Sequence, residues 1–171
     1  VQAATEDEPA LRAAFRGAIG IYGTTIYNIH ARRYRADNPE EMAQGRSLLA
    51  AARATPTLRH FVFQTMMRFC TPSAEIGLEA PIHFRTKWQL EEELKAADLP
   101  WTLVRQPAYM RQLRFGVTRG RKIVYPYAND YPLAFVAEED IGKVVARIFM
   151  ERESFLQQAV KVVSDIVTPA E

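Results

Sequence analysis

Hydrophobic and polar positions along the chain change repeatedly between two patterns. Short apolar runs rich in β-branched and aromatic residues alternate with stretches in which apolar residues recur every three or four positions. The first pattern is typical of strands buried on both faces, and the second is typical of amphipathic helices. The apolar runs predict strands at residues 17–22, 59–64 and 101–105, with weaker candidates at 123–126, 133–136 and 159–163.

Apolar residues recur at helical spacing in four stretches, of which the first covers residues 8–15. The second begins at Asn38, with Pro39 at the first helical position and Glu41 three residues after the cap. That combination is a capping box with the favoured proline. The third covers residues 83–97. The fourth spans residues 138–149, with core-facing positions at Ile141, Val144, Val145, Ile148 and Phe149.

This alternation of strands and helices indicates βαβ units, in which helices cover both faces of a parallel sheet. The predicted fold class is therefore α/β. A length of 171 residues is that of one domain, covering residues 1–171. Long connections are expected at residues 23–37, 66–82 and 111–132. The first and last exceed the usual two to six residues and are candidate functional loops.

Composition excludes several classes of function. Lys and Arg number 22 and Asp and Glu number 20, so the net charge of +2 indicates neither nucleic acid nor a membrane as the main partner. Five basic residues between positions 111 and 122 are accordingly interpreted as a solvated loop. Cys70 is the single cysteine, which favours a reducing, cytoplasmic compartment. His30 and His60 have no partner at metal-ligand spacing, so we predict no metal site.

Three elements stand in a specific order along the chain. A lysine near the start of a helix, Lys87, is followed by a Leu-Pro-Trp-Thr strand with Arg-x-Pro after it, and later by Glu-Asp-Ile-Gly. With their flanking runs, these elements resemble the NmrA-like proteins, which are atypical members of the short-chain dehydrogenase/reductase superfamily. The runs that carry the resemblance are residues 17–25, 40–54, 58–65, 83–110, 135–149 and 163–171.

The resemblance implies a Rossmann-like parallel sheet flanked by helices, and it covers the central portion of the family only. The N-terminal strands and the glycine-rich loop are missing, and we expect truncation at both ends. Residues 1–3 resemble the end of the third strand of the fold. Gly17, Gly20 and Gly23 have a three-residue spacing but lie within and after a strand. Because the loop amides normally hold the pyrophosphate, we expect binding of NADP or NAD to be weak or absent.

The resemblance also implies catalytic positions. Related dehydrogenases carry Tyr-x-x-x-Lys on a helix, and residues four apart share a helix face. Here Lys87 is preceded by His83 at that spacing, and a histidine can act as acid or base near neutral pH. Thr65 follows the second strand, where dehydrogenases place a catalytic Ser or Thr. We expect Lys87 at a cleft rim, where Lys87→Ala would leave the fold nearly intact. The alternative is that His83 and Lys87 are solvated residues at a helix start.

Strand ends complete the implied cofactor site, because ligands of parallel sheets bind at the carboxyl ends of the strands. The cofactor-binding residues that the resemblance implies are Thr24, Thr25, Gln64, Thr65, Lys87, Pro107, Ala108 and Tyr109. In the family, the loop after the third of these strands passes close to the nicotinamide. The alternative interpretation is that these are ordinary turn and strand-end residues.

Three functions are compatible with the sequence. The resemblance implies an NAD(P)-binding sensor or regulator that binds a dinucleotide and a small-molecule ligand. The first alternative is an NAD(P)H-dependent reductase of a quinone or a similar small carbonyl compound. The second is a partner-binding module without cofactor. In the family's strand order the strand at residues 17–22 would be unpaired on one side, and this exposed edge could bind a protein partner or a second copy.

Overall fold

The computed structural model describes residues 2–27, 38–67, 82–114, 117–118, 122–123 and 129–168. Side chains are described for these residues except at positions 82, 83, 114, 117, 118, 122 and 123. His30, Cys70 and much of the basic stretch between residues 111 and 122 therefore lie outside the described part. The long connections expected at residues 23–37 and 66–82 also lie largely outside it.

Helices occupy the stretches that have helical periodicity. The described residues contain α1 (Glu8–Ala14), α2 (Pro39–Arg53), α3 (Ile82–Ala96), α4 (Glu138–Met150), the short α5 (Arg152–Phe155) and a 3-10 helix at Met110–Arg114. All four helices that the sequence predicts are confirmed. None of the helices in these residues is long and apolar enough to cross a membrane.

Strands follow the apolar runs with small shifts in their ends. They are β1 (Gly20–Gly23), β2 (His60–Met66), β3 (Trp101–Gln106), β4 (Ala108–Tyr109), β5 (Val117–Thr118), β6 (Lys122–Ile123), β7 (Leu133–Val136), β8 (Gln158–Lys161) and β9 (Asp165–Val167). The main sheet has the order β1-β2-β3-β8, and every neighbouring pair is parallel. This confirms the Rossmann-like parallel sheet, and among the described residues β1 lies at one edge of it.

Several predicted details are wrong. The first strand begins at Gly20, because Gly17 adopts a φ of +77° in the turn that follows α1. The strand predicted at 133–136 is confirmed as β7, and it belongs to a second sheet, in which it pairs in parallel with β4 and antiparallel with β9. Residues 2–3 form no strand, and Ala3 packs against the core beside the helices instead. The region 111–132 holds a 3-10 helix and the β5-β6 hairpin rather than only loop.

Two hydrophobic cores lie on the two faces of the main sheet. Along β2 and β3, successive side chains point to opposite faces. Phe61, Phe63 and Leu103 pack in the core that includes α1, α2 and α3. Val62 and Val104 pack in the core beneath α4. The sheet is therefore covered on both faces, and the residues at its carboxyl ends divide between the same two sides.

Candidate functional site

Polar side chains collect at the carboxyl ends of β1, β2 and β3, on both sides of the sheet. By strand alternation Thr65 and Arg105 point to the side of α3, where Arg105 pairs with Glu91 of that helix. Gln64 and Gln106 point to the opposite side, which α4 covers. The candidate site therefore consists of two clusters separated by the sheet.

Lys87 is the centre of the first cluster. Its ammonium group donates to the backbone oxygen and to Oγ1 of Thr25, both at 2.8 Å, and lies 2.7 Å from Oε1 of Glu41. An ammonium group has three N–H donors, so these three contacts use all of them. Lys87 is only 9% exposed, and the expected position at a cleft rim is therefore wrong.

Glu41 ties this cluster together. Its side chain is fully buried, and Oε1 accepts a hydrogen bond from the Thr25 hydroxyl at 2.8 Å. Oε2 accepts from Nδ2 of Asn38 at 2.6 Å, while Asn38 caps α2 as the sequence predicts. A buried charge is stable only when it is paired and hydrogen-bonded. One carboxylate thus contacts three residues from different parts of the chain. Thr25 precedes residues 28–37, Asn38 follows them, and Lys87 lies on α3.

Two further features lie on the same side of the sheet. Arg105 and Glu91 form a two-point ion pair, with Nη2–Oε2 at 2.5 Å and Nε–Oε1 at 3.1 Å. Thr65 is 1% exposed, and its hydroxyl has no hydrogen-bond partner among the described residues. A buried hydroxyl without a partner is costly, which marks this strand end as a place where a ligand atom could bind.

The second cluster consists of two phenols and two amides beneath α4. Tyr22 donates its hydroxyl proton to Oε1 of Gln64, whose Nε2 donates to the Tyr109 oxygen at 3.0 Å. Nε2 of Gln106 donates to the same oxygen at 2.5 Å. Burial, together with the negative charge that Tyr109 would carry on ionisation, raises the pKa of Tyr22 to about 12. The Tyr22 phenol is therefore neutral near pH 7.

A cavity of about 370 Å³ adjoins this cluster, and we call it the strand-end cavity. Its polar lining comes from Tyr22, Gln64, Tyr109, Arg111 and Glu138, and its apolar lining comes from α4. Nε of Arg111 lies 2.6 Å from Oε1 of Glu138, and its guanidinium carbon lies 5.8 Å from the centre of the Tyr109 ring. A volume of this size falls within the usual range for small-molecule sites.

The structure brings together some of the residues that the sequence predicts and separates others. Thr25 and Lys87 are in direct contact, and so are Gln64 and Tyr109. Of the others, Thr24 is exposed, Pro107 is buried and Ala108 is half-buried. His83 lies in the first turn of α3, but its side chain is outside the described part. The catalytic and cofactor roles of all these residues stay predictions.

Sequence reasoning missed three contributors to the clusters. The sequence places Glu41 only in a capping box, Tyr22 only in a strand, and Gln106 only in the Arg-x-Pro that follows the third strand. The capping box gave no indication that the Glu41 carboxylate pairs with a lysine. A glutamine in an otherwise buried strand, such as Gln106, is a signal that could have been used, because buried amides need hydrogen-bond partners.

His60 lies at the other end of the sheet and has a structural role. The Thr102 hydroxyl donates its single proton to the Phe155 carbonyl oxygen at 2.6 Å. Thr102 Oγ1 can therefore only accept from Nε2 of His60, which lies 2.7 Å away, so this Nε2 carries a proton. Burial and the nearby positive charge of Arg152 lower the pKa of His60 to about 4, although Glu153 acts in the opposite direction. His60 is therefore neutral near pH 7.

The parallel sheet, the helices on both faces and the polar strand ends together define a Rossmann-like α/β protein. The model of the NmrA-like family matches residues 1–171. The chain therefore belongs to the NmrA-like family.

Solved structures share this fold at low sequence identity. NmrA, a negative transcriptional regulator solved in complex with NAD, matches with a TM-score of 0.75 and 19% identity, over 99% of this chain and 52% of that one. The NADPH-dependent quinone oxidoreductase of Escherichia coli, complexed with NADPH, matches with a TM-score of 0.71 and 17% identity, over 98% of this chain and 54% of that one. The UDP-glucose 4-epimerase of Thermotoga maritima, with UDP-glucose, matches with a TM-score of 0.70 and 14% identity, over 99% of this chain and 64% of that one. The chain thus spans about half the length of NmrA and of the oxidoreductase.

Proposed function

We propose that this chain is a dinucleotide-binding protein of the regulatory kind, which responds to NAD or NADP without turning over a substrate. The observation that carries the non-catalytic part of the proposal is the ion pair between Lys87 and Glu41. A cytoplasmic location and a single domain over residues 1–171 are parts of the same proposal. The solved complexes of NmrA with NAD and with NADP support the choice of ligand.

The ion pair favours binding over catalysis for a physical reason. In the related dehydrogenases the lysine assists a tyrosine four residues before it, and this requires a free positive charge near the reacting group. Here Glu41 neutralises the charge of Lys87, and Thr25 takes its remaining donors. The residue four positions earlier is His83 rather than tyrosine. Hydride-transfer chemistry is therefore poorly supported on this side of the sheet.

The described residues fit a dinucleotide only in part. The Thr65 hydroxyl has no partner within the described part of the chain and could bond a ligand atom, and Gln64 and Tyr109 lie beside the strand-end cavity. A ribose hydroxyl could bond to Lys87 only by replacing one of its present partners. Gly17 lies in the turn after α1, and Gly20 and Gly23 lie in β1. None of the three lies in a strand-to-helix turn, where backbone amides could hold a pyrophosphate. We therefore propose weak binding.

Calorimetry with NADPH and NADH, paired with an assay of NADPH oxidation against a panel of quinones, tests this function. We expect a dissociation constant weaker than micromolar and no oxidation above the protein-free rate. Micromolar or tighter binding would contradict the weak-binding proposal and would imply a replacement phosphate site. The candidates for that site are Arg32, Arg33 and Arg35, which lie outside the described residues. Quinone-dependent oxidation would instead support the reductase alternative.

A second candidate function, binding of a protein partner or a second copy, is favoured by the edge of the main sheet. Within the described residues β1 pairs with β2 alone. Ile19, just before this strand, is 67% exposed, and Tyr22 within it is 40% exposed. An apolar edge strand presents unpaired backbone groups to any passing strand. The oligomeric state of the chain is the corresponding test.

A further inference from the structure

A second cavity lies at the amino ends of the main-sheet strands, at the other end of the sheet from the candidate functional site. Its volume is about 380 Å³, and we call it the basal cavity. It is lined by Ile19, Gly20, Arg59, His60, Phe149 and Arg152. Gly20 and His60 are the first residues of β1 and β2 and are paired in register. The basal cavity is therefore separate from both clusters of the candidate site.

His60 supplies a buried hydrogen-bond acceptor in the wall of this cavity. It is 2% exposed, and its Nδ1 has no partner among the described residues. Because Nε2 carries the ring proton, Nδ1 has a lone pair that accepts no hydrogen bond. Turning the ring over would place a carbon atom beside Thr102 Oγ1 and lose the contact of 2.7 Å. The observed ring orientation is therefore the favoured one, and the acceptor stays unused.

The direction of Nδ1 follows from the position of His60 between two strands. The two nitrogens of an imidazole point in nearly opposite directions, and Nε2 points to Thr102 on β3. Since β1 lies on the other side of β2, Nδ1 points towards β1 and Gly20. Phe149 covers this end of the cavity, because a Cβ at Gly20 would lie 2.9 Å from its Cε1. A ligand therefore reaches Nδ1 only when this half-buried ring turns aside.

Positive charge surrounds the mouth of the basal cavity. Arg59 is exposed, and within the described part of the chain its guanidinium group forms no ion pair. Arg152 is fixed beside it, because its Nε donates to the Arg59 backbone oxygen at 2.7 Å. Arg152 also pairs with Glu153, whose side chain is 81% exposed. One positive charge, that of Arg59, is therefore left uncompensated.

We propose that the basal cavity binds an aromatic hydroxy acid, with its carboxylate at Arg59 and its hydroxyl group donating to Nδ1 of His60. Ile19 and Phe149 provide the apolar surface that an aromatic ring needs. Small-molecule sites commonly combine an apolar lining with a few polar groups that fix the orientation of the ligand. One uncompensated charge suits a monoanion such as a carboxylate. The inference does not depend on the proposed dinucleotide binding, because the two sites lie at opposite ends of the sheet.

Three matched probes separate the two polar contacts. The first, 6-hydroxy-2-naphthoate, carries both the hydroxyl group and the carboxylate. The second, 2-naphthoate, lacks the hydroxyl group, and the third, 6-hydroxy-2-naphthamide, replaces the carboxylate by a neutral amide of the same shape. Calorimetric titration of the full chain with each probe at pH 7.5, in the absence of any dinucleotide, would measure the three affinities.

The wild-type chain should bind the hydroxynaphthoate about tenfold more tightly than the naphthoate, which is the effect of one buried hydrogen bond. It should bind the hydroxynaphthoate about threefold more tightly than the amide, because a charge pair at an exposed mouth contributes less. High salt should remove the second preference and keep the first. Equal affinity for all three probes, or binding of none, would overturn the proposal.

Two variants assign these preferences to residues. His60→Phe keeps an aromatic ring and removes the acceptor, so the preference for the hydroxyl group should disappear. Arg59→Gln removes the exposed charge, so the preference for the carboxylate over the amide should disappear. Arg53→Gln is the control, because Arg53 is an exposed arginine at the end of α2 that does not line the basal cavity. It should keep both preferences. The comparison of probes in the wild type decides the proposal even if His60→Phe does not fold.

Nuclear magnetic resonance locates the bound probe. In the wild-type complex, nuclear Overhauser effects should connect the hydroxynaphthoate protons to the side chains of Ile19 and Phe149, which line the basal cavity. Contacts to Ile141 and Val145 would instead place the probe in the strand-end cavity. That result would overturn the proposal, whatever the affinities.

Discussion

Nζ of Lys87 lies 2.7 Å from Oε1 of Glu41, and both side chains are withdrawn from solvent. The pair joins α3 to the start of α2, and through Thr25 it also holds the end of β1. A buried pair of this kind adds little net stability compared with apolar residues, but neither partner can be lost alone without leaving an isolated charge. Lys87 is therefore part of the structural framework as well as a candidate ligand-binding residue.

Lys87→Ala should destabilise the chain by about 3–5 kcal/mol, because it leaves the Glu41 carboxylate buried without its cation. The free energy of unfolding, measured by urea titration, provides the test. A loss of this size is large against a total of roughly 5–15 kcal/mol. The double variant Lys87→Met with Glu41→Gln removes both charges and should recover most of the loss.

A surface lysine on the same helix is the control for that experiment. Lys95 pairs with Glu92 at 3.0 Å, and both side chains are substantially exposed. Lys95→Ala should therefore change the free energy of unfolding by less than about 1 kcal/mol. If Lys87→Ala cost no more than Lys95→Ala, the buried ion pair would not have the structural role that its geometry indicates.

Two glycines in helix interiors should respond to alanine in opposite directions. A Cβ at Gly45 of α2 would lie 2.9 Å from Cγ of Leu90 and closer still to both of its methyl groups, and Leu90 is fully buried. Gly45→Ala should cost about 1–3 kcal/mol from overpacking. A Cβ at Gly142 of α4 would have no atom within 4 Å, so Gly142→Ala should stabilise by roughly 0.5–1 kcal/mol. Thermal unfolding of both variants would measure the contrast, and a cost at Gly142 would contradict the open space seen there.

Stability should depend on pH through His60. Its pKa of about 4 in the fold lies below the ordinary value of 6.5, so the unfolded chain binds the proton more readily between these two values. The contribution of His60 to the free energy of unfolding is fully present above pH 6.5 and is lost as the pH falls towards 4. The loss at pH 4.5 should be roughly 2–3 kcal/mol. Urea unfolding of the wild type and of His60→Gln at pH 7.5 and 4.5 would measure this effect. Between the two pH values, the variant should lose less unfolding free energy than the wild type, because it has no imidazole to titrate.

Association through β1 should depend on the exposed residue at its start. Ile19 and Ile166 are similarly exposed, at 67% and 62%, but Ile166 lies in β9 of the second sheet. If copies pair along β1, sedimentation should show concentration-dependent association that Ile19→Lys weakens and Ile166→Lys does not, because charge at an edge strand opposes strand pairing. A monomer at high concentration with strongly protected amides in β1 would indicate that another part of the chain covers this edge.

Local patterns in the sequence are enough to predict the elements and the layers of this protein. Periodicity located the helices and the main strands, and the capping box at Asn38 and Glu41 marked the start of α2. The alternation of strands and helices indicated a parallel sheet, and the family resemblance indicated its Rossmann-like arrangement. These features depend on neighbouring residues or on a long ordered series of motifs, which a single sequence displays directly.

Which side chains meet depends on the tertiary structure. Nothing local to Lys87 specifies Glu41 as its partner, because they lie on different helices that the sheet brings together. Gln64 follows β2 periodicity like its neighbours, yet its position at the strand end places it against Tyr109. Strand alternation then separates Gln64 from the adjacent Thr65 by the thickness of the sheet. Such contacts depend on packing between elements that are distant in the chain, and hydrophobic patterning alone does not encode them.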